Sequence, residues 1–338
     1  MNGGLDIAGI PLGTRVLIAP MSGVSDLPFR RAAARLGASY VATEMVACET
    51  LAQGRADVVR RAARSDDIPL TVIQLVGREA HWLATGARLA EDSGADIIDI
   101  NMGCPAREVT GGLSGSALMR DLDQAERLIA AAVNATSRPV TLKMRLGWDD
   151  ASRNAAALAQ RAEGAGIKAI TVHGRTRAQF FRGVSDWRAV AEVKGATRLP
   201  VIVNGDIVDP ATARAALTQS GADAVMIGRA ALGKPWIARA VSEALQNGGA
   251  MAEPGPAERL GIILDHFSGA LAFYGDRLGL KTFRKHLARY IEDAPLALPP
   301  LARRAAKARL CALEDVSAVE RELIMLWRAE GSVASLAA

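Results

Sequence analysis

Of the three cysteines in this 338-residue chain, Cys104 stands where a reactive one belongs. It lies in Asp99-Ile100-Asn101-Met102-Gly103-Cys104-Pro105, where an apolar run breaks through Asn101 and Gly103 into a loop. Most cysteines are small buried hydrophobes, and that reading suits Cys48 and Cys311. At the carboxyl end of a strand in a parallel α/β protein, chemistry is the better expectation. Other apolar runs end the same way. They close on Ala19-Pro20-Met21, on Glu44, on Gln74, on Lys143 and Arg145, on His173-Gly174-Arg175-Thr176-Arg177, on Asn204-Gly205-Asp206 and on Gly228-Arg229. Lys143 and Arg145 are two apart and share a strand face. Singly, each has a dull explanation as a surface charge or a turn; together they describe one site.

The elements that must position these residues alternate. Strands are expected at residues 16–19, 40–43, 70–76, 97–101, 140–144, 169–173, 201–204 and 224–227. Segments of helical periodicity lie between them, at 27–36, 80–93, 122–135, 151–165 and 187–194. Asp209-Pro210 starts a helix with a cap and a proline in the first turn, and Gly94, Gly166 and Gly221 end helices. Eight βα units of this size predict a TIM (β/α)8 barrel, α/β in class. The strand pattern stops after Trp236. Residues 248–256 read as a linker, and the rest is helical except for 294–300. The expected organisation is a catalytic barrel over residues 1–245 and an all-helical C-terminal domain over 255–338.

In such a barrel all eight strand ends face one mouth, and the last two loops often hold a phosphate. Gly205 and Gly228 allow close backbone approach to an anion, and Arg229 adds a bidentate donor. Lys143 and His173 are suited to negative charge on something larger attached to that phosphate, and Gln74 to the edge of a pyrimidine. A flavin mononucleotide (FMN) meets that description.

Net charge is +5, and it is localised. Lys281, Arg284, Lys285, Arg289, Arg303, Arg304, Lys307 and Arg309 face only Glu292 and Asp293, a net of +6 that leaves the remainder near −1. Such a patch suits an anionic macromolecule. The first twenty residues lack a basic start and an apolar stretch, so no signal peptide is expected; no apolar run reaches membrane length, and the cysteines lack disulfide or zinc spacing. The expectation is a cytoplasmic protein without a metal, monomeric and not bound to membrane.

Ala19-Pro20-Met21 with Ser25-Asp26 and Pro28-Phe29-Arg30, Asn101-Met102-Gly103-Cys104-Pro105, Lys143-Met144-Arg145, the His173 motif with Asp186-Trp187, Asn204-Gly205-Asp206 and Gly228-Arg229 resemble the tRNA-dihydrouridine synthases. Arg284-Lys285-His286-Leu287 with Tyr290 resembles that family's tail, and the whole is most similar to the bacterial B type. The resemblance spans residues 17 to 326. It implies an FMN enzyme that uses NADPH to reduce selected uridines of tRNA. Ala19, Pro20, Met21, Gln74, Lys143, His173, Asn204, Gly205, Asp206, Gly228 and Arg229 would surround FMN. Asn101, Arg145 and Arg175 would face the target base, with Cys104 as the catalytic acid. Lys281, Arg284, Lys285 and Arg289 would hold the RNA backbone. Two departures concern presentation of the nucleotide. Arg107-Glu108 stands where relatives often carry adjacent lysines, and Phe181 where a tyrosine is common. The rival readings are a small-molecule flavin barrel of the dihydroorotate dehydrogenase kind and a non-catalytic RNA-binding protein. The first leaves the basic tail idle; the second leaves the strand ends without a purpose.

A free cysteine titrates near 8.5 and remains a thiol at neutral pH. That makes it a competent proton donor to uracil C5 once C6 has received a hydride. A base folded inside an RNA must first be flipped out to reach a barrel mouth.

Overall fold

The computed structural model describes residues 4–334, with side chains as far as residue 327. Eight parallel strands form the core: β1 (Val16–Ile18), β2 (Ala42–Ala47), β3 (Val72–Val76), β4 (Ile97–Met102), β5 (Val140–Arg145), β6 (Ile170–His173), β7 (Val201–Asn204) and β8 (Ala224–Ile227). Their order is β1-β8-β7-β6-β5-β4-β3-β2. The ring closes between β1 and β2 through a single parallel bridge, Ile18 with Val41, and a 3.0 Å bond from Ile18 N to the Tyr40 carbonyl. This is the expected (β/α)8 barrel. β3, β4, β5, β7 and β8 are buried throughout, as parallel strands covered on both faces must be.

Two details depart from expectation. β2 was expected over residues 40–43 but runs from Ala42 to Ala47, because Tyr40 and Val41 make only the closing bridge and the ladder with β3 shifts register between Ala42 and Met45. A short antiparallel hairpin, Asp6–Ile7 with Ile10–Pro11, precedes the barrel. Its Leu5, Ile7 and Leu12 join Leu70, Ile97, Ala169 and Ala224, residues at the amino ends of the strands, in one apolar cluster. The hairpin therefore seals the end opposite the mouth.

Local chemistry explains the helices that return the chain. The Asp26 side chain caps Leu27–Arg35, Asp121 caps Leu122–Val133, and Asp209 forms a capping box with Thr212 ahead of Pro210–Ser220. Each cap satisfies amides that a helix start leaves unpaired.

The described residues divide into two compact units, one of residues up to 229 with 236–251, the other of 230–235 with those from 252 onward. The second unit consists mainly of helices Pro256–Tyr274, Asp276–Glu292, Pro300–Ala312 and Val316–Ala334. Phe267 packs on Phe283 with ring centroids 5.0 Å apart, and His266 Nδ1 lies 3.0 Å from the Tyr290 hydroxyl. No described helix is long and apolar enough to cross a membrane.

Candidate active site

The parallel register sets inward-facing side chains in rows around the barrel. Gln74, Asp99 and Thr141 are paired across β3, β4 and β5. Asn101 lies level with Lys143, and Arg145, His173 and Asn204 form the row nearest the mouth. These rows are joined by hydrogen bonds. Thr141 Oγ1 donates to Asp99 over 2.7 Å, and Gln74 Nε2 donates to the other carboxylate oxygen over 2.6 Å. Gln74 Oε1 accepts from Asn101 Nδ2 at 2.8 Å. Asn101 Oδ1 then accepts the amides of Gly103 and Cys104 at 3.1 and 2.9 Å. A buried carboxylate thus orients, through two amide side chains, the backbone of the cysteine loop. Asp99 and Thr141 were not singled out from the sequence; an acidic residue inside an otherwise apolar strand was the available signal.

Burial pushes the Cys104 thiol above its ordinary range, against the opposing pull of the Ala106 amide, Arg145 and Lys143. It is held protonated at neutral pH. Lys143 is 9% exposed and donates to Asn204 Oδ1 over 3.0 Å. Burial brings its ammonium down to about 8, with Asp99 opposing that fall. Asn204 is fixed in turn by donating to the Met226 carbonyl at 2.7 Å.

Burial also drives His173 well below its usual titration range, assisted by the charges of Lys143, Arg145, Arg175 and Arg229. Its ring is therefore neutral near pH 7, and it meets negative charge as a hydrogen-bond donor. Arg175 Nη1 lies 3.3 Å from Nε2. Because a guanidinium can only donate, Nε2 is the acceptor and Nδ1 carries the proton.

Two arginines expected to face the base also bind the protein's own backbone and a carboxylate. Arg145, 1% exposed, donates to the carbonyls of Gly103, Thr176 and Phe180, each at 2.8 Å. Arg175, 2% exposed, grips Asp206 with both Nη atoms at 3.0 and 2.6 Å and also reaches the carbonyls of Arg182 and Gly183. They tie the loop after β6 to the cysteine loop and to the end of β7. Phe181, on that loop, lies under the Arg145 and Arg229 guanidinium groups, 5.5 and 5.1 Å from its ring centroid.

The glycines divide. Gly205 has φ +116°, and a β-carbon there would stand 2.2 Å from Ser185 Oγ and 2.8 Å from His173 Cδ2. Close packing inside the protein already requires this glycine, before any anion is considered. At Gly228 a β-carbon would meet nothing within 4 Å, so the end of β8 opens on free space. Beside it Arg229 has a side chain 68% exposed, 3.7 Å from Asp206. Ala19 is buried, while Pro20 and Met21 are half-buried where β1 leaves the barrel, with the Met21 amide bonded to Ser25 Oγ. These residues fit a flavin nucleotide. Among the described residues Asn204 is the one hydrogen-bond acceptor of the three-donor Lys143 ammonium, and an exposed guanidinium borders open space at the end of β8.

The tail's basic patch is smaller than its sequence suggests. Arg303 caps the end of helix Asp276–Glu292 by donating to the carbonyls of Ile291, Glu292, Ala294 and Leu296. Arg284 donates to the Leu313 carbonyl. Arg289 pairs with Glu292 and Asp293, Lys307 with Glu292, and Arg309 with Glu322. Among the described residues, Lys281, Lys285 and Arg304 have no ion pair.

The barrel places the chain among the parallel α/β barrels of known enzymes. It matches a morphinone reductase variant solved with tetrahydroNAD (TM-score 0.52, 16% identity, 76% of this chain and 94% of that one). It also matches histamine dehydrogenase from Rhizobium sp. 4-9 (TM-score 0.53, 13% identity, 75% of this chain and 49% of that one). At such identities the likeness is one of fold. Sequence carries the assignment further, because residues 17–320 match the family model for dihydrouridine synthase (Dus). A probable tRNA-dihydrouridine synthase of Rhodobacter capsulatus is 50% identical over 295 residues, covering 87% of this chain and 91% of that protein. The tRNA-dihydrouridine synthase B of Pseudomonas putida is 42% identical over 308 residues, covering 91% and 89%. The chain belongs to the dihydrouridine synthase family, and so to the oxidoreductases.

Proposed function

We propose that the protein reduces specific uridines of tRNA to 5,6-dihydrouridine, with FMN bound in the barrel mouth and NADPH as reductant. The relatives named for this activity support the substrate, and the flavin fit of the mouth supports the cofactor. Lys143, Asn204, Gly228, Arg229 and Met21 are the residues that would hold the flavin, which would supply the hydride to uracil C6; Gln74, fully buried and bonded to Asp99 and Asn101, positions Asn101 instead. The chain's own part is the proton. Cys104 Sγ–H protonates C5 as negative charge develops there, and the thiol is replenished from solvent. Uridine, NADPH and one proton thereby become dihydrouridine and NADP⁺.

The observation that carries this reading is the placing of Cys104, half-buried on a loop whose amides Asn101 fixes through Gln74 and the buried Asp99, where burial raises the thiol. An acid that must donate near neutral pH has to be protonated there. Arg145 acts by holding the Gly103 carbonyl beside that thiol. The barrel unit does chemistry, and the helical unit grips RNA through Lys281, Lys285 and Arg304. The test is Cys104→Ala. Flavin content and slow NADPH oxidation are retained while dihydrouridine formation in tRNA falls by at least a hundredfold, read by mass spectrometry of nucleosides. A fall of less than tenfold in tRNA reduction would remove Cys104 as the acid.

A further inference from the structure

Beside the cysteine loop lies a cavity of about 500 Å³ that none of the flavin-facing residues lines. Its walls carry Arg107, Arg177 and Arg182, with Phe180 as an aromatic face and Glu108 as the one carboxylate. The volume is that of a small-ligand site. Arg177 lies over the Trp148 ring, 4.6 Å from its centroid, and Arg120 approaches the same ring at 4.9 Å. Among the described residues none of these four arginines has an ion pair, and Arg177 Nη2 donates only to Thr110 Oγ1, at 3.4 Å. The Arg177 Nε is buried and has no acceptor.

An orphaned buried donor costs free energy, and neighbouring guanidinium groups repel. Arg177 already helps to lower Arg145. The rim is nevertheless rigid, since Arg145 holds the Phe180 carbonyl and Arg175 holds that of Arg182. A preorganised cationic cluster with a flat apolar wall fits a phosphate ester attached to a stacking base. We propose that this cavity is a nucleotide-phosphate subsite, separate from the flavin's own phosphate loops. It rests on the proposed function, which brings two ligands of this chemistry to the mouth. One is the 2′-phosphate of NADPH; the other is the phosphodiester beside the flipped uridine.

The test uses the flavin-loaded protein and Arg107→Ala/Arg182→Ala, both residues being exposed. Binding of 2′,5′-ADP and of a short single-stranded oligouridylate is measured by calorimetry at one fixed salt concentration. The wild type binds at least one probe, and the double variant binds it at least tenfold more weakly. Loss of 2′,5′-ADP assigns the site to the reductant, loss of the oligonucleotide to the RNA. Arg107→Lys/Arg182→Lys restores part of the affinity, which separates lost charge from lost fold. Failure of the wild type to bind either probe, or less than tenfold weakening of every probe it binds, overturns the subsite. Because binding needs no turnover, the two readings fail separately. A wild type that binds a probe through these arginines but forms no dihydrouridine overturns the proposed function alone. A wild type that forms dihydrouridine while both probes bind equally to the double variant overturns the subsite alone.

Discussion

Lys143→Met isolates the cost of burying a charge in the barrel mouth. An exposed lysine titrates near 10.5, and burial holds this one at about 8, with the nearby Arg145 adding to the fall. Between pH 8 and 10.5 the unfolded chain keeps a proton that the folded protein has lost, so stability rises with pH across that window. Below pH 8 the ammonium is charged in both states and the full penalty applies. At ~1.4 kcal/mol per pH unit the window amounts to about 3 kcal/mol. Methionine has no proton to lose and keeps most of the side-chain volume.

The measurement is urea unfolding of both proteins by circular dichroism, at steps from pH 7 to 10.5. Other groups that titrate in this range are present in both chains and cancel in the difference, except Cys104, which Lys143 itself lowers; the comparison is therefore made with Cys104→Ser in both proteins. The wild type should gain about 3 kcal/mol on the variant between the two ends of the range. Parallel stability curves would show that Lys143 titrates normally and would refute the reasoning from burial. A functional consequence follows. An anionic group seated against Nζ restores its proton, so affinity for such a ligand falls above pH 8 by up to tenfold per pH unit.

Two further perturbations test the frame around the site. Asp206→Ala leaves the Arg175 guanidinium buried without its carboxylate and should cost roughly 3 kcal/mol in unfolding free energy, whereas Asp206→Asn should cost less, since asparagine keeps an acceptor and tolerates the φ of +53° at this position; a loss under 1 kcal/mol for alanine would show that the pair is dispensable. Alkylation near pH 8, mapped by mass spectrometry, should modify Cys104 and leave Cys48 untouched, because Cys48 is fully buried and its thiol is pushed up to about 12; modification of Cys48 in the folded protein would contradict that burial.

The barrel was legible in the sequence because parallel strands buried on both faces are continuous apolar runs that end abruptly in polar residues. β4 through β8 lie within a residue or so of where those runs place them. The shift in β2 was not legible, since Tyr40 and Val41 are as apolar as any strand residue and only the closing bridge separates them from the ladder. The same limit explains the arginines. Residue type places Arg145 and Arg175 at strand ends, but their occupation depends on which carbonyls the loop of residues 176–183 presents. That loop has no periodicity to read, and Phe180 turns it with φ +57°. In the tail, spacing reveals a run of cations but not that Arg303 ends a helix or that Glu322, outside the run, neutralises Arg309.

The fate of those arginines decides what kind of cysteine Cys104 is. A nucleophilic cysteine needs its thiolate, which proteins obtain by placing a cation or a histidine base against the sulfur. Here the cation that most lowers the thiol, Arg145, spends three donors on backbone carbonyls. Its charge lowers the thiol only partly, and burial wins. The histidine cannot become the missing imidazolium, because burial and four nearby cations keep it neutral, and its Nε2 lone pair already faces Arg175. One charge distribution therefore has two effects: it leaves the sulfur protonated, and it leaves His173 a neutral donor through Nδ1–H. Lys143 remains charged just below its titration point. A mouth built this way can stabilise incoming negative charge and deliver a proton, which is what reducing a polarised carbon–carbon double bond requires and what covalent attack does not.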